Sequence, residues 1–158
     1  MRVKIISALA MTLLMVTLAA NISVAGDKQS GTWKINLEKS TYSPGPAPKD
    51  NVLKIDADDA GIKLASDGTD GDGNAMHIAY DAKFDGKDYP ISGIPYGDTV
   101  SVKRIDANTM VIAIKKSGAV TMTVKSVVSK DGKTRTSTFT GKDASGKDVK
   151  NVVVYDKQ

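Results

Sequence analysis

Residues 76–86 read Met-His-Ile-Ala-Tyr-Asp-Ala-Lys-Phe-Asp-Gly. Every second residue from Met76 to Phe84 is apolar or aromatic, and the residues between them are mostly polar. This two-residue period is that of a β-strand, because successive side chains point to opposite faces. The Asp85-Gly86 dipeptide is then typical of a tight hairpin turn. The stretch therefore predicts a half-buried strand that turns back into an antiparallel neighbour.

The same alternation recurs between residues 31 and 157, and turn dipeptides such as Ser117-Gly118 and Asp131-Gly132 separate the apolar runs. Ten strands are predicted, and they begin near residues 31, 51, 61, 75, 88, 98, 109, 119, 133 and 147. Short turns at this spacing join antiparallel neighbours, because a parallel crossover needs a longer connection. No segment after residue 25 keeps a helical period.

Antiparallel strands in a single sheet leave two unpaired edges unless the sheet closes on itself. A closed up-and-down barrel removes both edges, so the sequence predicts an all-β, ten-stranded antiparallel barrel. A two-sheet sandwich is the alternative, because it is also built from short alternating strands.

The composition of the 158 residues excludes several classes of protein. With 41% hydrophobic and 25% charged residues, the chain is too apolar for a disordered protein and too mixed for a membrane protein. The absence of cysteine rules out disulfides, thiolate metal sites and cysteine nucleophiles. His77 is the only histidine and Glu38 the only glutamate. We therefore predict no enzymatic activity, no cofactor and no metal.

Residues 1–25 have the three parts of an export signal. Arg2 and Lys4 form a basic start, residues 5–20 are apolar apart from three hydroxyl residues, and residues 23–25 read Ser-Val-Ala, as before a cleavage site. We therefore predict a signal-peptide helix that is removed, with an uncleaved membrane anchor as the alternative.

Residues 26–158 are predicted to form one domain in the periplasm or outside a bacterial cell. This part has 20 basic and 18 acidic residues, since two of the 22 basic residues lie in the leader. The small excess of positive charge, the interleaved aspartates and the lack of an aromatic ladder argue against nucleic-acid binding. We expect a monomer that has no membrane span once the leader is cleaved.

The one long connection, from Glu38 to Asp50, carries Pro44, Pro46 and Pro48. Prolines at alternate positions exclude a helix and favour an extended, polyproline-like segment. We predict that it forms a strap across one end of the barrel. The alternative is that the segment is a ligand for a domain that binds proline-rich peptides.

The first strand carries Gly31-Thr32-Trp33-Lys34, which resembles the start of calycin proteins, the superfamily of lipocalins and fatty-acid-binding proteins. Lipocalins open with Gly-x-Trp, which Gly31 and Trp33 match. The ten strands and the closing Tyr155 are more similar to the fatty-acid-binding branch. The resemblance implies a calycin-like barrel that holds a small apolar or amphiphilic ligand such as a lipid.

The chain departs from the fatty-acid-binding pattern in two places. The proline strap stands where that branch has two helices, and only Tyr155 matches the Arg-x-Tyr that often anchors the ligand's carboxylate. The chain is also similar to a group of small, uncharacterised exported bacterial proteins. They share its Gly-Thr-Trp-Lys, Ser-Pro-Gly-Pro-Ala-Pro and Asp-Gly-Lys-Asp-Tyr-Pro segments.

The loop of residues 67–74, Asp-Gly-Thr-Asp-Gly-Asp-Gly-Asn, is the strongest metal candidate. Calcium prefers such oxygen ligands, but EF-hand spacing would place Ala75 where glycine is needed and Asp81 where glutamate is usual. Aspartate and glycine are also common turn formers, so we favour a hairpin loop over a weak calcium site. His77 is predicted to point away from the apolar face, without a catalytic partner.

Five residues are predicted to form a ligand site inside the barrel. They are Trp33, Tyr80, Arg104, Met122 and Tyr155. Arg104 shares a strand face with Val100 and Val102 and would anchor a ligand carboxylate. The alternative is a snorkelling arginine at the barrel rim and core tyrosines with satisfied hydroxyls. Arg135 alternates with threonines and is predicted to face solvent.

These observations predict an exported protein that binds a small apolar or amphiphilic molecule. The alternative is a structural or interaction domain with a filled core, acting through its surface or the strap. A hydrolase or isomerase has the least support, because the sequence offers no converging cluster of polar residues. A cavity on the order of several hundred Å³ would distinguish the first function from the second.

Overall fold

The computed structural model describes residues 26–143 and 145–158, so the predicted signal peptide lies outside the described residues. Ten β-strands follow one another in chain order. They are β1 Gly31–Thr41, β2 Asp50–Ala57, β3 Gly61–Thr69, β4 Ala75–Lys83, β5 Tyr89–Ser92, β6 Thr99–Arg104, β7 Thr109–Lys116, β8 Ala119–Val128, β9 Thr134–Lys142 and β10 Asp148–Lys157. Each predicted start agrees with the observed one to within one residue.

Each strand pairs antiparallel with the next, and β1 also pairs with β10. The sheet therefore closes into an up-and-down barrel, which confirms the predicted fold; the sandwich alternative is wrong. In the closing pair, Trp33 lies opposite Lys157 and Ile35 lies opposite Tyr155. Within the described ranges, no helix is long and apolar enough to cross a bilayer.

One end of the barrel, where β1 begins, is densely filled, and we call it the packed end. Trp33 and Gln29 are fully buried there. The largest fully buried side chains of the described residues are Trp33, Arg135, Ile62, Met110, Gln29, Val100, Val102, Val128 and Ser126. The indole N–H of Trp33 donates to the Gln29 carbonyl at 3.0 Å, and the Lys157 ammonium lies 5.0 Å from the centre of the Trp33 ring. Residues 26–30, which precede β1, thus help to close this end.

The strap crosses the opposite end, which we call the open end, and it consists of residues 42–49. β1 continues to Thr41, so the predicted connection from Glu38 begins too early. The reason is a bulge, because the register between β1 and β10 shifts between Asn36 and Thr41. A bulge keeps the strand in the sheet while it breaks the alternation on which the prediction relied.

Hydrogen bonds from backbone N–H groups hold the strap at both of its ends. The Ser43 N–H donates to Asn151 Oδ1 at 2.9 Å, and the Lys49 N–H donates at 2.9 Å to the carbonyl of the last residue of β3. Between these points, Pro46 lies against the turn from β3 to β4. A Cβ on Gly71 in that turn would come within 2.6 Å of the proline ring. The strap and this turn together form a rim around the open end.

We expect Trp33→Ala to lower the free energy of unfolding by about 3–5 kcal/mol, because it removes a fully buried ring and leaves a cavity in the packed end. Leu37→Ala is the control, since Leu37 lies on the same strand but is 41% exposed, and it should cost less than about 1 kcal/mol. Urea unfolding followed by circular dichroism measures both variants. Equal losses would contradict the assignment of the stable core to the packed end.

Candidate functional site

Between the packed end and the strap, the barrel is hollow. The cavity has a volume of about 330 Å³, near the lower limit of ligand pockets in proteins. Its walls are mainly apolar. Representative apolar side chains are Ile35, Leu64, Ile78, Ile112, Phe139 and Val153. Pro46 and Pro48 of the strap line the cavity at its mouth, so the strap partly covers the entrance.

Arg135 lies at the floor of this cavity, where the hollow part meets the packed end. The side chain is 1% exposed, so the prediction that it faces solvent is wrong. It shares the inward face of β9 with Ser137 and Phe139, which also line the cavity. Its Nη1–H donates to Gln29 Oε1 at 2.6 Å, while its Nε–H has no partner. Among the residues that the structure describes, no carboxylate lies within 4.0 Å of it.

Burial makes the charge on Arg135 unfavourable. Desolvation lowers the pKa of the guanidinium, and the neighbouring Tyr80 and Tyr155 oppose this by raising it. The ordinary pKa of arginine is so high that the group remains a cation at neutral pH. A buried cation without a counter-ion raises the free energy of the folded state. The floor of the cavity therefore has a positive charge that an anion would stabilise.

Of the four tyrosines that line the cavity, Tyr80 and Tyr155 are the neighbours of this cation. The Tyr80 hydroxyl is buried without a partner, and burial raises the pKa of Tyr80 to about 12. Tyr155 lies opposite Arg135 in the pairing of β9 with β10, and burial raises the pKa of Tyr155 as well. Its O–H donates to Asn51 Oδ1 at 3.3 Å, and Asn51 Nδ2–H donates to Ser66 Oγ at 2.8 Å. Both tyrosines keep their protons at neutral pH and can act as hydrogen-bond donors.

The structure places three of the five predicted site residues on the cavity wall. They are Tyr80, Met122 and Tyr155. Trp33 lies below the cavity, in the packed end. Arg104 is not among the cavity-lining residues, because its guanidinium pairs with Asp27 and lies 4.2 Å from the centre of the Phe84 ring.

The sequence prediction did not include Arg135 at the cavity floor or Gln29, which accepts a hydrogen bond from it in the packed end. For Arg135 a pattern was available, because it shares the two-residue period of Phe139 on β9. For Gln29 none was available, because the residues before β1 have no regular alternation.

The acidic loop between β3 and β4 uses its carboxylates to hold the turn. Asp70 accepts hydrogen bonds from the Asn74 side-chain amide at 3.0 Å and from the Asn74 backbone N–H at 2.7 Å, and these bonds lower the pKa of Asp70. Asp67 lies 2.5 Å from the Nδ1 atom of His77, and both side chains are largely exposed. Across residues 26–143 and 145–158, no three acidic or histidine side chains converge as metal ligands would.

Comparison of the chain with protein-family models, with curated proteins and with solved structures finds no match in any of the three. The function is therefore inferred from the geometry and electrostatics of the cavity.

The burial of Tyr80 predicts a loss of stability at alkaline pH. Folding raises the pKa of Tyr80 from 10.0 to about 12, so ionisation of Tyr80 costs the fold no stability below pH 10. As the pH rises from 10 through 12, Tyr80 ionises more readily in the unfolded chain than in the folded one, and the free energy of unfolding falls. Tyr80→Phe should therefore unfold at a higher pH than the wild type, as followed by circular dichroism.

Tyrosinate absorbance provides the direct measurement for this prediction. In the folded protein, the absorbance should rise well above the pH of 10.0 at which free tyrosine ionises. The same protein in denaturant is the control and should titrate at the ordinary pKa. Ionisation of all five tyrosines of the folded chain at that ordinary pKa would contradict the burial of Tyr80.

Proposed function

We propose that the protein binds a small amphiphilic molecule with an anionic head group inside the barrel. The observation that carries this proposal is Arg135, a buried cation with no carboxylate partner at the floor of a largely apolar cavity. A bound carboxylate would provide the missing counter-ion. Ligand pockets commonly combine apolar walls with a few placed polar groups that orient the ligand, which is the composition found here.

The polar groups at the floor define how such a ligand would lie. The Arg135 Nε–H and the Tyr80 hydroxyl are both buried and both lack a partner, so they are available to donate to the head group. Hydrogen bonds from a cation to a carboxylate are stronger than neutral ones. The apolar part of the ligand would extend past Ile78 and Phe139 towards the strap.

The size of the cavity restricts the class of ligand. A volume of about 330 Å³ favours one acyl chain or a compact amphiphile over a two-chain lipid. The floor groups donate hydrogen bonds and keep their protons at neutral pH, which suits holding an anion rather than transferring a proton. We therefore propose a binding protein and not an enzyme.

The proposal also covers the class of barrel and its location. A closed, ten-stranded antiparallel barrel is compatible with a calycin-like fold, and Gly31 and Trp33 at its packed end fit that resemblance. The basic, apolar and small-residue parts of residues 1–25 support export from a bacterial cytoplasm. We propose a calycin-like binding protein of the periplasm or the extracellular medium.

Arg135→Met tests the anchor, because methionine fills much of the same space without a charge. We expect the affinity for dodecanoate to fall at least about tenfold, since hydrogen bonds to charged groups contribute about 1.5–3 kcal/mol. The affinity for dodecanol should remain within about threefold. The ligand-free variant should be more stable than the wild type, because an unpaired buried charge is removed. Calorimetric titration and urea unfolding measure the two effects.

Arg104→Met is the matched control, because it removes a cation that is already paired with Asp27 and lies outside the cavity lining. It should leave the affinity for dodecanoate within about threefold of the wild type. Loss of binding in this variant and not in Arg135→Met would overturn the choice of anchor. A wild-type protein that binds neither compound would favour a structural domain instead.

A further inference from the structure

The residues before β1 hold Arg135, the cation at the floor of the cavity, from the side of the packed end. Residues 26–30 enter the packed end, where Gln29 is fully buried. The Gln29 carbonyl accepts the indole N–H of Trp33 at 3.0 Å, and the Gln29 backbone N–H donates to Asp27 Oδ1 at 2.8 Å. The other carboxylate oxygen of Asp27 pairs with Arg104. The segment is therefore held at several points, and its side chains have defined positions.

The side-chain amide of Gln29 has one orientation that satisfies both of its partners. Its Nε2–H donates to the Asn108 carbonyl at 3.0 Å, so its Oε1 faces Arg135 and accepts the Nη1–H at 2.6 Å. The reversed amide would bring an N–H against the guanidinium and an oxygen against a carbonyl. The hydrogen-bond acceptor that Gln29 presents to the Arg135 cation is therefore uncharged.

Residues 26–30 provide the two arginines with different partners. Asp27 gives Arg104 a carboxylate, which neutralises its charge, whereas Gln29 gives Arg135 only an amide oxygen. Glutamine and glutamate have the same shape, so a carboxylate at position 29 would also reach the guanidinium, while its second oxygen would replace the N–H that donates to the Asn108 carbonyl. An amide there holds the guanidinium in place and leaves its charge uncompensated.

From this arrangement we infer that Gln29 is a specificity-determining residue, which keeps the charge of Arg135 available for an anionic ligand. The inference rests on the proposed function and extends it to a residue outside the strands. A glutamate at this position would act as an internal counter-ion and would compete with the head group of the ligand. Preference for an anionic over a neutral amphiphile therefore depends on an uncharged residue 29.

Gln29→Glu tests the inference in calorimetric titrations of the purified protein with dodecanoate and dodecanol. The wild type should bind dodecanoate at least about tenfold more tightly than dodecanol. In Gln29→Glu this ratio should fall at least about tenfold, while the affinity for dodecanol stays within about threefold.

Two further variants separate charge from packing. Gln29→Met removes both side-chain hydrogen bonds without adding a charge, so the protein should be less stable but should still prefer dodecanoate. Lys28→Gln lowers the net charge by the same amount as Gln29→Glu, at an exposed neighbouring position. It should leave the ratio of affinities unchanged.

The outcomes distinguish this inference from the proposed function. If the wild type prefers dodecanoate and a folded Gln29→Glu variant keeps that preference, the inference alone fails. If Gln29→Glu and Gln29→Met lose both ligands to the same extent, Gln29 has only a structural role and the inference is overturned. If Gln29→Glu is unfolded at neutral pH while Gln29→Met is folded, by Trp33 fluorescence, the carboxylate does not pair with Arg135 and the inference also fails. A wild type that binds neither compound overturns the proposed function and the inference with it.

Discussion

The pairing of β1 with β10 closes the sheet, and the two ends of the interior depend on that closure. In a closed barrel, the inward side chains of all strands face one another and no second sheet is needed to cover them. The register of the closing pair places Trp33 opposite Lys157 in the packed end and Ile35 opposite Tyr155 beside the cavity. A shift of one residue would turn every inward side chain of β1 outward. The core and the cavity therefore both depend on the register of β1 with β10.

The two ends of the barrel have opposite energetic roles. Around Trp33, buried apolar side chains stabilise the fold, whereas Arg135 and the Tyr80 hydroxyl leave polar groups unsatisfied in the hollow part. Places where a sequence departs from the rules of stable packing are often functional, because the rest of the fold offsets their cost. Here the same strands provide both regions, so the packed end lies directly against the floor of the cavity.

Local patterns in the sequence were sufficient for the strands, since alternation and turn dipeptides act over a few residues. Bulges depend on how two strands pair, so neither the extension of β1 to Thr41 nor the exposure of Val120 on β8 could be predicted. The two-residue period from Phe139 to Arg135 pointed inward, but the alternation of Arg135 with threonines was interpreted as a solvent-facing position, as is usual for arginine. The burial of Gln29 requires the closed end of the barrel, which no local pattern describes.

The two arginines near the packed end explain why a strand face alone did not identify the proposed anchor. Both share an inward face with apolar neighbours, so the sequence pattern treats them alike. Their difference comes from residues 26–30, which bring Asp27 to Arg104 and Gln29 to Arg135. An arginine that is paired with a carboxylate already has a counter-ion. An arginine that is held only by an amide does not, so an anionic ligand would still stabilise it. In the proposed function, the partner of each cation and not its position on a strand decides which one holds the ligand.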